Sequence, residues 1–320
     1  MIIYLNKMDQ TNFKRWESKI PNSYPYILFK KEFKEVKKIY GAFYSTKKFV
    51  YKKLGESKAV WEDKASLHLK DAIHPKHQFE IFNNLKDWSE HYKLFSKWAN
   101  YMHVLSLSAL LESYFAKVLK LALDSDIGLV IGCTKSIDGI ALKKYGKTYS
   151  YNYEVLIAQF TKGTWFQRKQ AFNQYFNWIP EILISEEKIG ILEKIRELRN
   201  DVAHTQGRKL SKIHEYNDLN LSILDKISEK RLKDFEYVAF ELCKQIDRYL
   251  LQNHIGNYHV LLKFHELKNE NNITVDLNEM SSIKSAAKLL QKQFGGKVSQ
   301  KHNRNFYIQV VKYYEELRLK

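Results

Sequence analysis

The chain has 320 residues, 44% hydrophobic and 14% aromatic, with a formal net charge of +17. That length supports a sizeable core in two or three units, and 12 Gly with only 4 Pro leave long stretches without helix breakers, so a mainly α class is expected. Two cysteines, Cys133 and Cys243, argue against a disulfide framework, and no apolar run approaches the roughly 20 residues of a membrane helix.

The stretch Met1 to Leu5 is too short for a signal core and is followed by polar residues, so the expected location is the cytoplasm, with no membrane partner. The positive charge points to a polyanionic partner, nucleic acid ahead of an anionic membrane, or else to a lysine-rich chain with solvated faces. It is spread along the chain. Residues 1–90 hold 18 basic and 11 acidic side chains, residues 91–254 hold 24 and 19, and residues 255–320 hold 11 and 6.

Residues 1–90 read as a basic, aromatic-rich helical region of short helices, with loops at Pro21–Pro25 and near Pro75. Nine lysines lie between Lys30 and Lys53 against Glu32 and Glu35, interleaved with Tyr40, Phe43, Tyr44, Phe49 and Tyr51. That mixture suits backbone contact with base stacking, and equally a helix pair with a wet basic face. His68, His74 and His77 lack acidic or cysteine partners at ligand spacing, and Pro75 makes a turn the simpler expectation; no metal or cofactor is called for.

Residues 91–254 read as a helical domain. A long helix is expected over about 90–124, with Leu94, Trp98, Met102, Leu105, Ala109, Glu112 and Ala116 recurring at threes and fours. It is apolar nearly all round between Val104 and Leu123, which makes it central and makes Glu112 the odd residue. Residues 124–164 read as a connector with one short helix around Tyr153–Phe160. The glycines of Ile127 to Cys133 lack the Gly-Lys-Ser/Thr of a phosphate loop and the spacing of a dinucleotide turn. An aromatic helix runs to Trp178 before Pro180. The next begins after Ser185, carries Glu186 and Glu187 in its first turn, and has Ile191, Ile195, Leu198 and Val202 on one face. It is expected to stop at Gly207. Another covers about 229–252.

After Gly256, three stretches (258–267, 273–277 and 306–313) are rich in β-branched and aromatic residues, and a helix over 281–294 lies among them. A small α+β module over 255–320, of ββαββ type, is expected.

The chemistry is concentrated in Arg199-Asn200-Asp201-Val202-Ala203-His204. An arginine, a neighbouring polar side chain and an imidazole are the parts needed to cut RNA without a metal, because RNA carries its own nucleophile in the 2′-hydroxyl. Spacing alone is a weak warrant: Arg208/His214 and Arg248/His254 repeat a similar interval. At about 100° per residue Asn200 and His204 lie about 40° apart, and Arg199 about 140° from His204. One chain therefore presents the pair awkwardly, and two chains facing each other would compose a cleft. The opposing expectation is a helix-end histidine and arginine satisfied by local carbonyls and carboxylates.

The segment from Ile195 to His204 resembles the signature of the HEPN superfamily, and two further stretches resemble its RiboL-PSP-like or abortive-infection type. These are Ala109 to Phe115 and Phe160 to Arg168. The resemblance covers roughly residues 90–250. It implies a helical-bundle core, a metal-independent endoribonuclease of toxin or antiviral-defence type, and a homodimer. It implies Arg199 and His204 as the catalytic pair, Asn200 as the adjacent polar residue and Glu112 as a helper. RNA, either tRNA or mRNA, is the expected substrate, and a cognate antitoxin or another defence-system subunit an expected partner. The rival expectation is a non-catalytic nucleic-acid-binding or scaffold component of a multi-protein system.

Overall fold

The structure is a computed structural model. It describes residues 13–69, 82–147, 152–205, 227–295 and 302–319, with side chains described for all of these except 202–205 and 295.

Helix α1 spans Tyr24–Glu56. Its start is set by Ser23, whose Oγ accepts from the Tyr26 N–H at 3.3 Å, and by Pro25, whose missing N–H costs nothing in a first turn. No further proline interrupts it. Gly41, at roughly 1 kcal/mol against Ala, is too weak a breaker to stop a helix fixed by packing at Phe29 and Phe33. The short helices expected before residue 90 are thus replaced by one 33-residue helix and a brief α2, Ala65–Leu69.

Helix α3, Leu85–Ser125, opens at Asn84, whose Oδ1 accepts from the Asp87 N–H at 2.9 Å. The stretch expected as a connector contains a 3₁₀ turn, Ile127–Ile131, then α4, Gly139–Lys144, and α5, Tyr153–Thr161. Helix α6, Trp165–Phe176, begins with a reciprocal capping box between Thr164 and Gln167 and ends at Asn177 in the left-handed region (φ 46°). A 3₁₀ turn, Glu181–Leu183, leads into α7, Glu186–Thr205. Helix α8, Glu229–Leu250, passes into a π turn, Leu251–Ile255.

The last part of the chain departs from expectation. Residues 258–267 lie in helix α9, Tyr258–Glu270, and residues 306–313 in helix α11, Arg304–Glu316. Between them α10 spans Met280–Gly295, and residues 273–276 take no regular form. Among the described residues the only pairing of strand type is an isolated bridge between Asp126 and Asp138. The described part of 255–320 is therefore helical and not α+β. The cause lies in burial. Tyr258, His259, Val260, Leu261, Phe264 and Leu267 are all buried, so α9 is apolar on too many sides to show a period of 3.6.

Two compact units can be distinguished. The first is built from the described parts of 1–28, 114–181 and 242–320, the second from those of 29–113 and 182–241. In the first, Phe115 and Phe160 meet Phe172 edge-on, with centroids 6.1 and 4.9 Å away. Helices α9, α10 and α11 pack on one another, and α9 also packs on α4. The N-terminal segment is fastened to the turn after the π helix. Arg15, buried, donates to both carboxylate oxygens of Asp138, to Ser125 Oγ and to the Ile255 carbonyl. The Asn257 amide donates to the Lys14 and Glu17 carbonyls. Gly256, at φ 54°, lets this turn lie against the backbone of Arg15 and Trp16, where a Cβ has no room.

In the second unit, Phe29 and Phe33 of α1 meet Phe240 of α8, at 6.1 and 5.3 Å. Tyr101, Val104, Leu107 and Leu111 of α3 are buried, as are Leu192 and Ile195 of α7. The α3 stripe expected to face inward does the reverse over its first turns. Leu94 is 44% and Trp98 51% exposed, and Ala109 is exposed too. A helix with apolar residues on every side can bury any of them, and the line through Tyr101 and Val104 is the one covered.

Candidate functional site

Helix α7 carries the motif. Ser185 starts it: its Oγ accepts from the Lys188 N–H at 3.4 Å, and its carbonyl takes the Ile189 N–H at 3.0 Å. Glu186 and Glu187 occupy the first turn, where the helix dipole favours negative charge. Leu192 and Ile195 anchor the inner face; Ile191 and Leu198 are half-buried at its margin.

Past this anchor, Arg199 leaves the surface of α7 towards α3. Its Nη2 lies 3.3 Å from Glu112 Oε2, and its Nη1 donates to Asn200 Oδ1 at 3.5 Å. Three of the four expected site residues, Arg199, Asn200 and Glu112, are therefore neighbours, though Glu112 and Arg199 are 87 positions apart in sequence. The Arg199 and Glu112 side chains are 41% and 27% exposed. A pair this wet contributes at most about 1 kcal/mol to stability, so its main physical effect is to fix where the guanidinium points. The backbone of His204 lies in the last turn of α7; its side chain lies outside the described residues.

The other histidines raised by the sequence separate cleanly. His68 is 2.9 Å from Asp63 Oδ2. His74, His77, Arg208 and His214 lie outside the described residues. His254 is buried with its Nδ1 3.0 Å from the carboxylate of the fully buried Asp126, beside the π turn. It therefore serves the interior of the first unit and has no Arg-x5-His role with Arg248. The stretch 160–168, offered as part of the family resemblance, forms the α5–α6 junction: Phe160 and Trp165 are buried, and the Arg168 guanidinium lies 4.4 Å over the Trp165 ring.

Sequence reasoning missed a second polar cluster in the second unit. His103 of α3 is buried, its ring stacked on Tyr40 at 4.4 Å and its Nε2 2.9 Å from Glu236 Oε1. The other Glu236 oxygen meets Lys37 Nζ at 2.8 Å. Burial works to raise the Glu236 carboxyl, but the bonds to His103 and Lys37 outweigh it and hold it below its ordinary value. Burial, then the charges of Glu229 and Glu236 with Tyr44 between them in effect, push the Tyr40 hydroxyl up to about 12. This cluster closes one side of a cleft of about 710 Å³ between α1 and α8. No local pattern announces it, because its members come from three helices.

No protein family, curated protein or solved structure matches the chain. Among the described residues, no helix is long and apolar enough to cross a membrane.

Proposed function

We propose that the chain is a metal-independent endoribonuclease of toxin or antiviral-defence type, acting as a homodimer with the ends of two α7 helices lining one cleft. The observation that carries this reading is the gathering of Glu112, Arg199 and Asn200 at the end of the helix that also holds His204. The family resemblance of residues 195–204 supports it.

In this mechanism one His204 imidazole takes the proton of a 2′-hydroxyl. The 2′-oxygen attacks the adjacent phosphorus while the bond to the 5′-oxygen breaks, and the partner subunit's His204, protonated, returns a proton to that oxygen. The products are a 2′,3′-cyclic phosphate and a 5′-hydroxyl. Arg199 neutralises charge building on the non-bridging oxygens, where a planar guanidinium offers two parallel donors. Glu112 and Asn200 hold that guanidinium in place. Such a dimer would find an apolar surface on α3, where the exposed Leu94 and Trp98 lie within about 40° of the Glu112 direction.

The test is cleavage of total cellular RNA in excess EDTA, with the ends mapped. Wild-type protein is expected to leave 2′,3′-cyclic phosphates, and Arg199→Ala or His204→Ala to lower the rate by at least about a hundredfold. Equal rates for these variants sink the site. Tight nucleic-acid binding without cleavage, and unimpaired growth on expression, would favour the binding or scaffold reading, which the net charge of +17 also supports.

A further inference from the structure

Helix α1 does more than bury Phe29 and Phe33. Beyond residue 33 most of its side chains are exposed or half-exposed. At 100° per residue, Lys34, Lys38, Lys48 and Lys52 fall within about 40° of one line along the helix, about 27 Å from first to last. All four are exposed. No acidic residue interrupts that line between Lys34 and Lys52, though Glu35, about 100° to one side, pairs with Lys38 at 2.7 Å and Glu56 lies 3.8 Å from Lys52, exposed pairs that a phosphate can replace. Midway, the same line passes Gly41 and Ser45, both exposed, and a Cβ added at Gly41 would meet nothing within 4 Å. The helix is thus basic at both ends of the line and thin between them.

Gly41 also lies on the edge of the 710 Å³ cleft. Aromatic rings dominate that cleft: Tyr40 and Tyr44 from α1, and Tyr237, 60% exposed, from α8. Lys37 and Lys233 stand at its walls with Glu229 and Glu236, so the cleft suits an uncharged base and the phosphates fall to the lysine line. Its volume falls within the range that holds small organic groups.

Building on the reading of this protein as directed at RNA, we infer that α1 is the track on which the second unit holds single-stranded RNA, with phosphates on the lysine line and a base stacked in the aromatic cleft beside it. Phosphate contacts need spaced cations, and base stacking needs exposed ring faces next to them. A duplex cannot use the cleft, since its bases are already stacked. An anionic membrane is a poorer fit, because the lysine line carries no large apolar residue to enter the acyl boundary.

The probe is a fluorescein-labelled 2′-O-methyl RNA dodecamer, which lacks the attacking hydroxyl, so binding is read apart from cutting. Anisotropy is followed over a range of potassium chloride. Replacing Lys34, Lys38, Lys48 and Lys52 together by Gln is expected to reduce the slope of log K against log salt by about 3. Tyr237→Ala is expected to weaken single-strand binding about tenfold and leave duplex binding unchanged. An unaltered slope in the lysine variant overturns the inference. So does a Tyr237→Ala variant that binds single strands as wild type does, or a lysine variant that loses only binding to phosphatidylserine vesicles. The two readings fail separately. Salt-dependent binding through these lysines without cleavage of unmodified RNA leaves the track and removes the nuclease; cleavage with the lysine variant binding as wild type does the reverse.

Discussion

A carboxylate three-tenths exposed is a poor structural brace, which is why Glu112 invites a functional test. Glu112→Gln keeps the shape of the contact with Arg199 but removes its charge. Its melting temperature should stay close to wild type, since the pair contributes about 1 kcal/mol or less. Its RNA cleavage should fall about tenfold, the rate equivalent of about 1.4 kcal/mol lost from transition-state stabilisation. A cleavage rate equal to wild type would reduce the pair to a surface contact. His259 gives a residue-scale prediction of another kind. Its ring is buried, stacked on Phe294 at 5.8 Å, and neither nitrogen has a hydrogen-bond partner among the described residues. Burial first, then Arg15 and His302, lower its pKa from 6.5 to about 3. Above about pH 6.5 the ring is neutral folded or unfolded, and it has no effect. Below that the unfolded chain takes up a proton that the folded chain refuses, so stability falls until about pH 3. Urea unfolding should show a loss of about 2 kcal/mol between pH 7 and pH 5 from this group. His259→Phe should lose correspondingly less over the same interval.

Helices declare themselves in sequence when one face is clearly dry and the ends carry polar caps. Helix α7 meets both conditions, with Ser185 before it and Leu192 and Ile195 inside, and its start is legible to the residue. The capping box of α6 is equally local. Thr164→Ala should cost about 1 kcal/mol, read as a lower urea midpoint with an unchanged m-value. The helices after Gly256 fail the first condition. In α11, Phe306, Tyr307, Val310, Val311 and Tyr314 are spaced as a helix face, yet their β-branched and aromatic character argues for a strand. Tertiary burial decided the matter against propensity. The site divides along the same boundary. Arg199 and Asn200 are legible because they adjoin in the chain, and Glu112 is legible as a charge in an apolar helix and as the helper the family resemblance implies. That it meets Arg199, and that Glu236 joins His103 and Lys37, depends on how separate helices pack, which no local pattern encodes.

At the scale of the molecule, the first unit depends on a fastening between residues far apart in sequence. Arg15 reaches Ser125, Asp138 and Ile255 at once. Arg15→Ala would leave the Asp138 carboxylate without its bidentate partner in a largely dry setting, at a cost of about 3 to 5 kcal/mol. A thermal melt should show that loss in full for the single variant. Arg15→Ala combined with Asp138→Asn should recover part of it, because the stranded charge is then gone. A recovery of nothing would mean that the arginine acts through its bonds to Ser125 and Ile255 and its packing on Trp16 and Tyr258. The interleaving of the two units also has a consequence for how the protein is made. The ribosome delivers the second unit's final segment with Glu241, while the first still awaits everything from Leu242 onward. The part bearing Arg199 can close early; the other must wait, held open for the time taken to synthesise residues 242–320. A nascent chain of this kind spends its youth with its oldest segment unemployed, and any chaperone that attends it should be sought at that stage.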